Sequence, residues 1–261
     1  MSRPHPIQSV VVIGSGNVAT HLAQAFKEKG LSLVQVYSPT AAHAEELARK
    51  TGAQPLTRLQ QLNTDADLYL ISISDDQIQS LSEHLPPLHG IVAHTSGITA
   101  LAALHRHRRH GVFYPLQTFS KNREVELQNV PFCIEAGDDD TADRLSGLAA
   151  QLSSKVYPVS TEKRKQLHLA AVLVNNFPTH LYHLAQTFLE QQELDFDLLR
   201  PLITETGAKM LEMDPDQAQT GPARRGDRQA LNLHKELLQS QPEILALYEL
   251  ISNQIVRTYH E

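Results

Sequence analysis

The stretch SVVVIGSGNVA, residues 9–19, sets a β-branched run directly against a glycine turn. The run has no polar and apolar alternation, as expected of a strand buried on both faces of a parallel sheet. The turn Gly14-Ser15-Gly16-Asn17-Val18-Ala19 fits the pattern G-x-G-x-x-A between a strand and a helix. In that context Gly14 permits a tight turn, Gly16 lets main-chain amides approach a pyrophosphate, and Ala19 lets the helix pack closely on the sheet. The helix start adds unpaired N–H groups and a partial positive charge, which favour a phosphate. Gly14, Ser15, Gly16, Asn17 and Val18 are therefore candidate cofactor-binding residues, although a purely steric strand-to-helix turn would use the same glycines.

Working outward, residues 18–29 place Val18, Leu22, Ala25 and Phe26 on one helical stripe that Gly30 ends. Strand-like runs follow at residues 31–37, 67–74 and 90–94, with a helix over 41–50 closed by Gly52. Residues 130–135 and 155–159 read as two further strands around a helix over 140–152. Strands alternating with helices at this spacing predict right-handed βαβ units, hence an α/β fold with a doubly wound, mostly parallel sheet. Beyond Ser160 no strand-like run is convincing. A long helix is expected over 161–190, kinked at Pro178, followed by helices over 197–213, 231–238 and from Pro242 to near His260. The expected domains are 1–160, dinucleotide-binding, and 161–261, all-α.

Length and composition narrow the function classes. The chain has 261 residues, 41% hydrophobic and 20% charged, enough to bury a core. No apolar run is long enough for a membrane-spanning helix. The segment 1–8 lacks an apolar signal core, so a cytoplasmic location is expected. Cys133 is the sole cysteine, which excludes an internal disulfide and a cysteine-rich zinc site. A net charge of −6 gives no whole-protein attraction to nucleic acid, leaving a small molecule as the expected partner.

Ligands of doubly wound sheets sit beyond the carboxyl ends of the strands. After the second strand, Tyr37-Ser38-Pro39-Thr40 carries no acidic residue for a ribose 2′-hydroxyl. That favours NADP over NAD, with Ser38 and Thr40 as donors to a 2′-phosphate, against the alternative of a plain Pro39 turn. Ser72 and Ser74 follow the 67–74 run as further cofactor candidates, while Asp75 and Asp76 read as helix caps. His94, Ser96 and Gly97 offer donors and a free backbone to an oxygen-rich substrate, or a hydrogen-bonded turn. Gln117 stands in the aromatic stretch 114–119, which suits a pocket with few polar groups.

Lys165, His168, Val172, Asn175 and Thr179 recur at intervals of three and four along the helix after Ser160. Lys165 or His168 is the candidate proton donor to a substrate receiving hydride, with Asn175 orienting it and Asn176 beside it. A packed core histidine is the alternative. Arg224 and Arg225, in TGPARRGDR, form a candidate clamp for a carboxylate or phosphate, or simply solvated arginines. HRHRRH at 105–110 has metal-like residue types but reads as a solvated helix end, and no metal site is expected.

The segments GSGNVA, HTSG, FYPLQTF, KQLHLAAVLVNNF and TGPARRGD together resemble bacterial Rossmann-like oxidoreductases that carry a C-terminal domain of unknown function. These are similar to pyrroline-5-carboxylate reductase and the 6-phosphogluconate and 3-hydroxyisobutyrate dehydrogenases. The resemblance implies an N-terminal NADP-binding domain and a helical C-terminal domain that forms a homodimer. It also implies catalytic Lys165 or His168 with Asn175 and Asn176 on the first interdomain helix, and substrate contacts from Ser96-Gly97. The spacing departs from those dehydrogenases, because Ala171 stands where their Lys would precede the Asn. The expected activity is NADP-dependent hydride transfer to a small carboxylate-bearing carbonyl or imine compound. Two alternatives stay open: a ketopantoate-like 2-oxo acid reductase, and an NADP(H)-binding sensing dimer without catalysis.

Overall fold

A computed structural model describes residues 5–260, so residues 1–4, part of the segment from which an absent export signal is read, lie outside it. The chain divides into two compact units, a first through Asn176 and a second from Phe177.

The first unit is built on β1 (Ser9–Ile13), α1 (Asn17–Glu28), β2 (Ser32–Tyr37), α2 (Ala41–Thr51), β3 (Gln54–Leu56), β4 (Leu68–Ile71), α3 (Ile78–His84) and β5 (Ile91–His94). It continues through β6 (His110–Pro115), β7 (Phe132–Ala136), α4 (Asp139–Leu152), β8 (Val156–Pro158) and α5 (Thr161–Ala171). The eight strands form one sheet in the order β3-β2-β1-β4-β5-β6-β7-β8. All neighbours pair parallel except β6 and β7. The order reverses between β1 and β4, which places a crevice beside the glycine turn.

The β-branched run of β1 serves both faces. Val10 and Val12 pack with Phe26, Leu70 and Phe113 on one side, while Val11 and Ile13 pack with Tyr69, Ile71 and Ile78 on the other. Burying each such side chain contributes about 1.5–3 kcal/mol. In α1 the buried residues are Ala19, Thr20, Leu22, Ala23 and Phe26, whereas Val18 and Ala25 of the expected stripe are only partly buried. α2 ends at Gly52 in the left-handed region, φ 80°, as its cap requires.

Several local expectations fail for identifiable reasons. Residues 110–115 form a strand, β6, antiparallel to β7, which the sequence does not announce because its apolar run HGVFYP merges with the basic cluster before it and the aromatic loop after it. HRHRRH begins at the end of a 3-10 helix, Leu101–Leu104, whose C-cap is His105, and is mostly exposed, but His110 opens β6 and half-buried His107 sits with Nε2 3.1 Å from Ser82 Oγ. Asp75 and Asp76 do not cap α3; they form a 3-10 turn before it, leaving Gln77 at its N-cap without a side-chain bond. Asp138 does cap α4, accepting from the Thr141 amide at 2.9 Å.

After α5 the backbone runs through a π-helical turn, Val172–Asn176. The expected kink is thus a widened turn immediately before Pro178, whose missing N–H and ring bulk disfavour regular α-helical bonding to Val174. The second unit consists of α6 (Phe177–Glu190), α7 (Arg200–Glu212), α8 (Pro215–Ala218), α9 (Pro222–Arg225), α10 (Arg228–Leu237) and α11 (Pro242–His260). Leu184, Phe188, Leu231, Leu247 and Ile251, among others, line an apolar groove of about 470 Å³ within it. Among the described residues no helix is long and apolar enough to cross a membrane.

Candidate active site

The glycine turn has the geometry of a phosphate cradle. Gly14 adopts φ +124°, and its N–H donates to the Tyr37 carbonyl at 2.9 Å. A β-carbon there would come within 2.0 Å of the Ser72 carbonyl oxygen, so no other residue fits. Gly16 is the N-cap of α1, has an ordinary φ of −74° and makes no side-chain cap. A β-carbon on Gly16 would meet nothing within 4 Å. The first-turn amides of α1, which have no intrahelical partners, are therefore free of a capping side chain, and a pyrophosphate fits beside them.

The predicted cofactor side chains divide by exposure. Ser38 is buried, and its Oγ accepts from Ser15 Oγ at 3.2 Å; Ser72 is buried, and its Oγ accepts from Thr95 Oγ1 at 3.1 Å. Both hydroxyls hold loops together from below. Thr40, at the N-cap of α2, and Ser74 are exposed. Asn17 ties the start of α1 to the loop after β6: its Nδ2 donates to the Phe119 carbonyl at 2.8 Å. His21 reinforces that strap, with Nε2 3.0 Å from the Ser120 carbonyl and its ring 5.0 Å from that of Phe119.

That loop and α5 enclose a cavity of about 590 Å³ within the first unit. Asn17 and Val18 contribute from the start of α1, Tyr114 from the end of β6, Gln117 and Phe119 from the loop, and His168, Asn175 and Asn176 from the helical side. Gln117 is exposed and its Oε1 accepts from the Thr118 amide at 2.8 Å. The central pair is Tyr114 Oη and His168 Nδ1, 3.1 Å apart. Burial pushes the Tyr114 phenol up to about 12. It therefore stays protonated at neutral pH; in the Nε2–H tautomer of His168 it donates to Nδ1, and in the Nδ1–H tautomer it accepts.

Lys165 does not line the cavity; it is exposed. The buried stripe of α5 passes instead through Arg164 and His168, four residues apart. Arg164 is fully buried, and its Nη1 donates to the carbonyls of Ser96 and Thr99, each at 2.9 Å. Its Nη2 donates to Glu135 Oε2 at 3.0 Å and to Thr161 Oγ1 at 3.2 Å. Glu135 also accepts from the Thr161 amide at 2.8 Å, which ties the start of α5 to β7. A buried charge so paired is affordable; unpaired it would not be. Sequence reasoning missed both Tyr114 and Arg164. The aromatic stretch was a signal for Tyr114, whereas an arginine between two lysines reads as solvated surface.

The loop after β5 supports the site from beneath. His94 is wholly buried, with Nδ1 accepting from the Ser96 amide at 3.2 Å. Burial, then the Arg164 charge, pull its imidazole down to about 3. It is neutral and closed to solvent, so it is not a substrate donor. Ser96 is also buried, its Oγ accepting from the amides of Ile98 and Thr99 at 3.1 and 2.9 Å. Gly97 lies against the catalytic candidates: an added β-carbon would meet His168 Nδ1 at 2.4 Å and Tyr114 Cζ at 3.0 Å. Arg224 and Arg225 belong to α9 in the second unit, where Arg224 lies 3.9 Å over the Tyr259 ring and Arg225 is exposed. Among the described residues no group of three or more His, Cys, Asp or Glu side chains could hold a metal ion.

Comparison with known proteins agrees with this architecture. Residues 5–87 match the model of the shikimate / quinate 5-dehydrogenase family, and residues 130–255 match a domain of unknown function, DUF2520. No curated protein matches the sequence. Among solved structures, a candidate NADP oxidoreductase from Bacteroides fragilis is 41% identical over 96% of this chain and 98% of its own, with a TM-score of 0.90. An imine reductase from Myxococcus stipitatus, in complex with NADP+, is 14% identical over 95% and 92%, with a TM-score of 0.61. A 1-pyrroline-5-carboxylate reductase from Streptococcus pyogenes is 13% identical over 95% and 98%, with a TM-score of 0.58. The last two share the fold. By its identity to the Bacteroides fragilis protein over nearly the whole of both chains, this chain belongs to the Rossmann-like oxidoreductase family that carries the C-terminal domain of unknown function.

Proposed function

We propose that the protein binds NADP(H) and reduces a small carboxylate-bearing carbonyl or imine compound, with His168 as the proton donor. The observation that carries this reading is the Tyr114–His168 pair, set in a cavity that also reaches Asn17 and Val18 at the start of α1. The bound reduced nicotinamide would supply hydride. The chain must then deliver one proton to the oxygen or nitrogen that gains the electron pair. Protonated His168 does so from Nε2 and is left as the neutral ring with its remaining proton on Nδ1, which donates to the Tyr114 oxygen. Asn175 and Asn176, which line the cavity, suit the orienting of the substrate's polar groups, and the apolar side chains of Leu116, Phe119 and Leu167 keep water from the hydride.

The cavity lining includes no Lys or Arg, so this reading assigns the substrate carboxylate to the amides of Gln117, Asn175 and Asn176. NADP is favoured over NAD by the lack of an acidic residue after β2, by exposed Thr40 at the N-cap of α2, and by the NADP assignment of the Bacteroides fragilis relative. Exposed Leu198, Leu202, Leu211 and Leu250 in the second unit support a homodimer that covers them. A cytoplasmic setting belongs to the same reading.

The test is NADPH oxidation by wild type and His168→Gln across a panel of oxo acids and cyclic imines. The variant should lose roughly 10²–10⁴ in kcat while binding NADPH normally. Unchanged turnover would remove His168 from the mechanism. Absence of calorimetric heat with saturating NADPH would remove the redox reading altogether.

A further inference from the structure

We propose that Arg164 is a positioning residue which, through the Ser96–Thr99 loop, fixes the tautomer and location of the His168 ring. The proposal rests on the reading of His168 as proton donor, but its central measurement does not require turnover.

Four hydrogen bonds converge on the loop. Arg164 Nη1 takes the carbonyls of Ser96 and Thr99 together, and Ser96 Oγ takes the amides of Ile98 and Thr99. The loop is thereby closed from both sides by charge-assisted and hydroxyl bonds. Its Gly97 backbone then forms the surface on which two rings rest. A β-carbon there would lie 2.4 Å from His168 Nδ1, 2.8 Å from His168 Cγ and 3.0 Å from Tyr114 Cζ. The ring of His168 thus has one polar restraint, the 3.1 Å bond to Tyr114, and one steric restraint, Gly97.

Arg164 connects these restraints to the helix that carries the ring. It stands one turn before His168 on the same face of α5, and the contact to Glu135 anchors the assembly to β7. With the guanidinium in place, the loop and α5 keep one separation, at which Nδ1 meets the phenol rather than the Gly97 backbone. Lysine can carry the charge but cannot bridge two carbonyls and a carboxylate from one planar fork. A residue that only filled space would tolerate any well-packed replacement. The position of Arg164 instead controls which ring nitrogen is the acceptor.

The experiment is two-bond ¹H–¹⁵N correlation spectroscopy of the histidine rings in Arg164→Lys and Gly97→Ala, with the His168 signals assigned by their loss in His168→Gln. Wild type should show Nδ1 as the unprotonated acceptor in the neutral ring. Both variants should move His168 toward a mixture of tautomers and lower kcat by roughly 10²-fold, the cost of about 1 Å of misplacement, with NADPH affinity kept. Because kcat falls in any loosened enzyme, the ring nitrogens decide. Wild-type His168 shifts in folded Arg164→Lys would overturn the proposal. Should that variant fail to fold, wild-type shifts in Gly97→Ala, whose substitution lies in the loop itself, would do the same. If His168→Gln proves fully active, the functional reading fails while the tautomer measurement still judges the positioning role.

Discussion

The main chain of Gly14 packs so closely against Ser72 that a β-carbon would stand 2.0 Å from the Ser72 carbonyl oxygen, whereas one on Gly16 would meet nothing within 4 Å. The two glycines of one motif therefore do different work, and the distinction can be measured. Gly14→Ala must strain a backbone at φ +124° and push β1 from β4, so thermal unfolding should shift downward by many degrees and the protein should express poorly. Gly16→Ala has room and an ordinary φ, so the melting temperature of the free protein should stay within a few degrees. Its methyl group would stand in the pyrophosphate approach, so NADPH affinity should fall at least roughly tenfold by calorimetry. Equal affinity in wild type and Gly16→Ala would mean that the helix start does not hold the cofactor.

Tyr114→Phe keeps the ring that packs on Gly97 and deletes only the hydroxyl on His168 Nδ1. A bond of this kind contributes about 0.5–1.5 kcal/mol in ordinary settings, and roughly a tenfold loss in kcat is expected, with NADPH binding unchanged. Burial holds the phenol up near 12, so Tyr114 contributes no inflection to the pH profile between about 7 and 10. An alkaline limb near pH 10 that disappears in Tyr114→Phe would contradict the buried, protonated phenol.

Lys165 and His168 are indistinguishable as proton donors by spacing alone, and exposure separates them. Lys165→Ala should leave kcat within about twofold and stability within about 0.5 kcal/mol, as at other solvated helix positions. A loss comparable to that of His168→Gln would return Lys165 to the reaction.

The contrast between those two residues also marks where the sequence stops being legible. The strand β1, the glycine turn and the helix after Ser160 are all local patterns: a buried run, a turn that only glycine fits, a 3.6-residue period. The face of α5 that turns inward is not local. A period of three or four allows the stripe to begin at Arg164 or at Lys165, and propensity favours neither. Glu135 and the carbonyls of Ser96 and Thr99 decide it, from positions 29 to 68 residues away in the chain. Likewise, His94 and Ser96 stand after a strand as ligand-binding residues do, but burial beneath the loop is a property of packing. Tyr114 is hard to single out because its strand, β6, runs without a break into the aromatic loop that follows it.

His94 gives the fold a predictable acid sensitivity. Burial first and the Arg164 charge second lower its imidazole from 6.5 to about 3. Between those values the unfolded chain binds a proton that the folded chain refuses, so stability falls as pH drops through that window and is fully present above it. The ceiling is on the order of 5 kcal/mol, reduced by any water that reaches the ring. His107, half-buried against Ser82 and also lowered by burial, adds in the same direction. The lowered carboxylates of Asp67 and Asp138 act further down, below about pH 4, and do not confuse the upper half of the window. His94→Leu removes the titrating group but leaves the Ser96 amide without its acceptor, at a cost of about 1–3 kcal/mol at neutral pH. Urea titrations of both proteins between pH 7 and pH 4.5 should therefore show a variant that starts weaker but declines less steeply. Parallel declines would mean that His94 is protonated as easily in the folded chain as in the unfolded one, which its burial beside Arg164 does not allow.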